Sequence, residues 1–211
     1  MRRKWIPFLI AAAVLLAGLA VYTAASRSQT AYQIIGEAYG KASGQSDDPI
    51  VAMYRDTPVR QSVVDYHRQS TAVLSGGEEP SEADTIDELL RNIIMVDEAE
   101  QRGLSVTQDE VDSELAGQRQ NYEDYAEIRE VVDEFCAGAG ITTEEYYASL
   151  EEQMPHIILR WKLRDALGRE YCEEHGLDYV NGNGPAEMVD AVNRYLDGLV
   201  ESHRADITYY K

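Results

Sequence analysis

The chain has 211 residues, of which 19 are Lys or Arg and 38 are Asp or Glu, and its formal net charge is −19. Four of the basic residues lie within positions 1–28, which contain no acid, so the rest of the chain has a net charge of −23. Such acidity argues against nucleic acid and against anionic lipid surfaces as partners, because both are bound through Lys and Arg. The apolar fraction of 44% is ordinary, so the body is large enough to bury a hydrophobic core.

The N-terminal segment predicts a membrane anchor. Met1-Arg2-Arg3-Lys4 precedes 18 uncharged residues, from Trp5 to Tyr22, which as a helix would cross a lipid bilayer. Basic residues before a span favour a cytoplasmic N-terminus, so we expect a single-pass protein whose body lies outside the cytoplasm. A cleaved signal peptide is the alternative, because Thr23-Ala24-Ala25 resembles a cleavage site. Residues 1–25 are therefore an anchor or a signal peptide, and the body is exported in both cases, secreted if cleavage occurs.

Residues 26–48 are rich in Ser, Gly, Gln and Ala and are predicted to be a linker, so residues 49–211 form the predicted domain. Apolar residues over 50–55 predict a first strand. Thr57 and Pro58 then have the residue types of an N-cap and a first helical position, which predicts a helix from there to about Leu74.

Capping signals divide the next hundred residues into helices. Three pairs have the spacing of a helix N-terminus, namely Ser81 with Asp84, Thr107 with Glu110, and Thr142 with Glu145. Glycines predict the matching ends, at Gly103, at Gly138 and Gly140, and at Gly176. The second helix is expected to be long and unbroken, and the third to kink at Pro155. A last helix is predicted over about residues 186–202.

The C-terminal segment 205–210 alternates and predicts a second strand. A lone strand leaves its backbone groups unpaired, so we expect it to pair with residues 50–55 and to bring the ends of the domain together. The predicted fold class is therefore mainly α, with an N-terminal transmembrane helix and a multi-helix domain that carries a small two-stranded pairing.

No motif for catalysis or for binding a cofactor or metal is present. His67, His156, His175 and His203 form no pair or cluster at zinc-ligand spacing with the cysteines. Phosphate loops, nucleophile elbows and dinucleotide fingerprints are also missing. Cys136 and Cys172 are too few for a disulfide scaffold, and we expect two buried or unpaired thiols.

Tyrosine dominates the aromatic residues, with 14 Tyr against two Phe and two Trp. Tyrosine combines an apolar ring with a polar tip, which suits a wet surface that contacts varied partners. One interpretation is a polypeptide-binding groove; its candidate residues are Tyr122, Tyr125, Tyr146, Tyr147, Met154 and Trp161. The other is that these side chains pack the seams between helices.

Several segments resemble a known family. They are Asp87-Glu88-Leu89-Leu90-Arg91-Asn92, then Arg102-Gly103-Leu104-Ser105-Val106-Thr107, and Gly140-Ile141-Thr142-Thr143-Glu144-Glu145. With the predicted order of elements, they resemble the N-terminal chaperone module of the SurA and PrsA group of extracytoplasmic foldases, related in plan to the substrate-binding region of trigger factor. The similarity extends over about residues 49–210. Residues 55–58 stand where the family has an Asn-Gly-like hairpin turn, and no room remains for its parvulin isomerase domain of about 100 residues.

The resemblance implies a non-catalytic, membrane-anchored chaperone that binds unfolded or newly exported polypeptides outside the cytoplasm. A first alternative is an interaction subunit that binds one dedicated folded partner at the membrane. A second alternative is a peptidyl-prolyl isomerase, which the missing parvulin domain argues against. The predicted partners are therefore unfolded or newly translocated proteins, and the lipid bilayer through residues 5–22.

Overall fold

The computed structural model describes residues 29–44, 47–180 and 182–210. In chain order the elements are α1 (Ala31–Ser43), β1 (Ile50–Tyr54), β2 (Thr57–Arg60), α2 (Gln61–Ser75), α3 (Glu82–Gln101), α4 (Gln108–Asp124), α5 (Ala126–Ala139), α6 (Thr143–His175), α7 (Ala186–Asp197), α8 (Leu199–Ser202) and β3 (Ile207–Tyr209). The mainly helical class is confirmed. The predicted anchor over residues 5–22 lies outside the described residues, and none of the helices within the described ranges is long and apolar enough to span a membrane.

The sheet brings the two ends of the domain together, as predicted. Its strand order is β2-β1-β3 with antiparallel pairing throughout. Ala52 lies opposite Tyr209 and Tyr54 lies opposite Ile207. The backbone N–H of Tyr210 extends this pairing by donating to the carbonyl of Val51 at 2.8 Å.

The predicted helix start at Thr57 and Pro58 is wrong, because both residues belong to the additional strand β2. Pro58 lies opposite Met53 on an edge strand, where the missing N–H of proline costs no ladder hydrogen bond. Helix α2 begins only at Gln61, and its N-terminus is capped from a distance: Asp48 Oδ1 accepts from the N–H of Ser62 at 3.0 Å. Pairing with β1 therefore overrides the local capping signal.

The predicted linker is wrong over residues 31–43, which form helix α1 packed closely against α5. Thr30 caps the helix by accepting from the N–H of Gln33. A Cβ atom at Gly36 would lie 2.1 Å from the carbonyl oxygen of Phe135. The two backbones are therefore in direct contact, and glycine is what allows the approach.

The single long helix predicted after Thr107 is also wrong, because the chain breaks at Tyr125 into α4 and α5. Tyr125 has extended backbone angles, φ −114° and ψ 114°. The guanidinium group of Arg129 donates to the carbonyl oxygens of Tyr122 and Glu123, two of the carbonyls left without helical partners at the end of α4. These contacts stabilise the break.

The N-caps predicted at Ser81, Thr107 and Thr142 are confirmed. The side chain of Ser81 caps α3, and both Thr107 with Glu110 and Thr142 with Glu145 form complete capping boxes. The last of these opens α6, a continuous helix of 33 residues that includes Pro155. At 1.5 Å per residue α6 is about 50 Å long, so it runs the length of the domain.

Two hydrophobic cores lie along α6. The sheet-side core joins the sheet to α3, α7 and the C-terminal half of α6, and its fully buried members include Leu89, Leu90, Ile94 and Leu163. The α1-side core joins α1, α5 and the N-terminal half of α6, and its members include Ile35, Phe135, Leu150 and Met154. Cys136 is buried in the α1-side core and Cys172 in the sheet-side core, so the prediction of unpaired thiols is confirmed.

Candidate functional site

Three of the six predicted polypeptide-contacting residues are buried. Tyr146 and Tyr147 are each 3% exposed and Met154 is 1% exposed, all within the α1-side core. The ring of Tyr146 packs edge to face on Phe135 and on Tyr147, with centroid distances of 5.7 and 5.2 Å. These side chains fill helix seams, so the groove interpretation is wrong for them.

The other three predicted residues do not lie together. Tyr122 is partly buried, and its hydroxyl donates to Asp133 at 2.8 Å. Tyr125 is 54% exposed at the junction after α4, whereas Trp161 is 42% exposed on α6 beside the first turn of α4. The 17 residues of α4 extend about 25 Å, so these two exposed rings belong to different surfaces.

Tyr146→Phe is expected to stabilise the protein. The Tyr146 hydroxyl is buried and has no hydrogen-bond partner among the described residues, and burial raises its pKa. An unsatisfied buried polar group is unfavourable, so its removal should raise the free energy of unfolding by about 1 kcal/mol. Thermal unfolding followed by circular dichroism tests this, with Tyr122→Phe as the control that loses its bond to Asp133. A lower melting temperature for Tyr146→Phe than for the wild type would contradict the expectation.

Trp161 lies in a groove between α4 and α6, called here the acidic groove. Its volume is about 260 Å³, and it is lined by Asp109, Glu110, Ser113, Glu114, Ile158 and Trp161. The capping box of α4 fixes the position of Glu110. Lys162 joins the two helices, because its Nζ pairs with Glu110 and also donates to the carbonyl of Ser105 at 2.7 Å.

Glu110 is held in its charged form in the acidic groove, where it pairs with Lys162. The ammonium group of Lys162 and the N–H of Thr107 lower the pKa of Glu110 to about 2. Asp109 and Glu114 are exposed and have no ion pair within the part of the chain that the structure describes. The groove therefore presents two unneutralised carboxylates beside a large aromatic ring.

A second cavity, called here the hairpin cleft, lies under the turn between β1 and β2. It has a volume of about 360 Å³. Its walls are formed by residues 54–57, by Asn92, Ile93, Val96, Asp97 and Glu100 of α3, and by His156 and Arg160 of α6. Its three contributing segments are far apart in the sequence. No local motif marks them, so the sequence alone does not predict this cleft.

A network centred on Asp97 holds the turn over α3. The carboxylate of Asp97 accepts from the Tyr54 hydroxyl at 2.7 Å, from Arg55 at 2.7 Å and from Gln101 at 2.6 Å. Arg55 also pairs with Asp206, and its φ of 49° lies in the left-handed region that favours glycine. Its ion pairs with Asp97 and Asp206 hold this arginine in the turn.

Within residues 29–44, 47–180 and 182–210, no group of three or more His, Cys, Asp or Glu side chains is placed to hold a metal ion. Comparisons of the chain with protein-family models, with curated proteins and with solved structures found no match.

Proposed function

We propose that this protein is a membrane-anchored, chaperone-like protein that binds unfolded or newly exported polypeptides outside the cytoplasm without covalent chemistry. The observation that carries the proposal is the acidic groove, where Trp161 is 42% exposed between unpaired carboxylates. The resemblance of residues 49–210 to the chaperone module of the SurA and PrsA group supports the same function. The uncharged segment from Trp5 to Tyr22 supports a position at the membrane.

The groove is complementary to a basic residue that lies next to an apolar one. The ring of Trp161 and the side chain of Ile158 offer an apolar contact, and a Lys or Arg head can bind the carboxylates of Asp109 and Glu114. A cation over an exposed indole adds about 0.5–1 kcal/mol. Such contacts are weak individually, which suits transient binding of many unfolded segments.

The net charge of the whole protein also favours the binding of basic segments. A net charge of −19 attracts basic unfolded segments over longer distances and keeps a loaded complex soluble. This attraction is screened by salt, because the Debye length falls from about 30 Å at 0.01 M to about 10 Å at 0.1 M ionic strength. Binding through the acidic groove should therefore weaken as salt is added.

Trp161→Ala is expected to weaken the binding of a basic, apolar peptide by about tenfold, because a central aromatic side chain contributes strongly to such contacts. The measurement is fluorescence anisotropy of a labelled, unstructured peptide of alternating Lys and Leu, with the full chain in lipid nanodiscs. A peptide with Glu in place of Lys should not bind. Tyr210→Ala is the matched control, because Tyr210 is 47% exposed beside strand β1 and does not line the groove. Equal affinities for wild type and Trp161→Ala would contradict the role of the groove.

Chaperone-like activity itself is tested by aggregation of chemically denatured client proteins. The full chain at stoichiometric amounts should reduce light scattering, and no reduction across several clients would contradict the proposal. Co-purification of one stable, stoichiometric partner would instead favour the dedicated interaction subunit. Acceleration of a proline-limited peptide assay to the rate of a parvulin would favour the isomerase.

A further inference from the structure

Arg160 is a partly buried cation without a partner. It lies on α6 at the inner wall of the hairpin cleft, and it has no hydrogen bond or ion pair within residues 29–44, 47–180 and 182–210. Other arginines of this acidic chain do have carboxylate partners; they include Arg55, Arg68, Arg91, Arg102, Arg119 and Arg169. Removing a charge from water without a partner is unfavourable. The guanidinium group of Arg160 therefore makes no evident contribution to the stability of the fold.

The charges around Arg160 leave its guanidinium group free to bind an anion. Burial lowers its pKa and the neighbouring Arg164 lowers it further, while Glu88 only partly opposes them. Asp97, in the same cleft, is already engaged by Tyr54, Arg55 and Gln101. Asp56 and Glu100 also line the cleft, but neither forms an ion pair with Arg160 within the part of the chain that the structure describes. The guanidinium group of Arg160 therefore has no bound carboxylate.

One turn earlier on α6, His156 also borders the cleft. Burial and the charge of Arg160 lower the pKa of His156, while Glu100 opposes them. The ring is therefore neutral at pH 7 and does not bind an anion as an imidazolium. The positive charge offered to a ligand on this wall is therefore that of Arg160 alone.

The rest of the cleft is suited to an apolar group. Ile93 and Val96 of α3 and the ring of Tyr54 form its apolar part. Asn92 adds one amide, and Asp56 and Glu100 add carboxylates to its lining. Its volume of about 360 Å³ lies near the lower end of the range of ligand pockets, about 300–1,000 Å³. A cleft of this size fits a small molecule or a single chain end better than a long extended segment.

We propose that the hairpin cleft binds an apolar carboxylate. The carboxylate group forms a bidentate ion pair with the guanidinium group of Arg160, and the apolar part packs on Ile93 and Val96. Two sources share this chemistry: the C-terminal residue of a polypeptide and a free organic acid. The site is distinct from the acidic groove and opposite to it in charge preference, so the inference goes beyond the proposed function.

Isothermal titration calorimetry with the full chain in nanodiscs tests the proposal. The probes are acetyl-Leu-Leu-Phe with a free C-terminus, the same peptide with a C-terminal amide, and 4-phenylbutyrate. We expect at least one of the two acids to bind, and the amide to bind at least about tenfold more weakly, because it cannot form the charged bidentate pair. Binding of the peptide acid alone identifies chain ends as the source, and binding of phenylbutyrate alone identifies free acids.

Arg160→Gln should abolish acid binding, whereas Arg160→Lys should retain part of it, because a lysine keeps the charge without the planar fork. The matched control is Arg164→Gln, one turn further along α6, where the guanidinium group donates to Asn193 at 3.2 Å. Arg160→Gln should fold with a melting temperature equal to or above that of the wild type, since it removes an unpaired charge.

Three results would overturn the proposal: neither acid binds, the amide binds as tightly as the acid, or Arg160→Gln binds as the wild type does. A melting temperature of Arg160→Gln below that of the wild type, restored by Arg160→Lys, would assign Arg160 a structural role instead. The basic peptide and Trp161→Ala address the acidic groove separately, so failure of one site is distinguishable from failure of the other.

Discussion

Gly138→Ala is expected to destabilise the protein by about 3 kcal/mol, because overpacking against an immovable neighbour is among the most damaging single changes. A Cβ atom at Gly138 would lie 2.1 Å from the carbonyl oxygen of Gln33 on α1. That atom is backbone and cannot rotate away, so α1 and α5 must separate. Separation would expose Ile35 and Tyr39, which are 0% and 8% exposed. Gly36→Ala should act in the same way from the other helix.

The matched control is Gly117→Ala on α4. An added Cβ atom there meets nothing within 4 Å, and the helix gains a residue of higher helical propensity. Stability should therefore rise by up to about 1 kcal/mol. Urea unfolding of the full chain in detergent micelles, followed by circular dichroism, measures both variants. Equal shifts of the two midpoints in the same direction would contradict the close packing of α1 on α5.

This contact also explains why a helix, α1, forms where local composition predicts a linker. Glycine is typical of linkers, but Gly36 and Gly40 are four residues apart and therefore lie on one face of a helix. Gly138 faces them from a segment about a hundred residues away, and in the sequence it resembled a helix stop. Thr30 as a cap and this spacing were the available signals. These glycines are needed because α5 packs closely on α1. The composition of residues 26–48 alone carries no information about that distant partner.

Local sequence patterns predicted correctly the features that depend on residues close together in the sequence. The capping boxes at Thr107 and Thr142 join residues three positions apart, and both formed as predicted. The pairing of β1 with β3 followed from the need to satisfy backbone groups, which is a general constraint. Strand β2 was missed because Pro58 suits a helix start as well as an edge strand, and only the partner strand decides between them.

The candidate site residues show the same contrast between local and long-range determinants. Trp161 was named from its residue type, but its acidic surroundings come from the first turn of α4, about fifty residues earlier. Tyr146 and Tyr147 were named on the same basis but are buried, because Tyr146 packs on Phe135 of α5 and Tyr147 packs on Tyr122 of α4. Arg160 carried one weak signal: His156, Arg160 and Arg164 recur every four residues on one helix face of an acidic chain.

Leu150→Ala is expected to destabilise both hydrophobic cores, although Leu150 contacts only one of them. Leu150 is 0% exposed in the α1-side core, and truncating such a side chain costs about 2–5 kcal/mol. Helix α6 carries Leu150 into one core and Leu163 into the other without interruption at Pro155. Because one helix is shared, loss of packing at its N-terminal half should lower the cooperative stability of the whole domain.

Hydrogen exchange of the full chain in nanodiscs measures this coupling. In Leu150→Ala, amides of β1 and α3 should exchange faster, even though both elements lie in the sheet-side core. The reciprocal variant is Leu196→Ala, whose side chain is 1% exposed on α7 in the sheet-side core. It should raise exchange in α1 and α5 for the same reason. If each variant instead accelerates exchange only in its own core, the two cores unfold independently and α6 does not couple them.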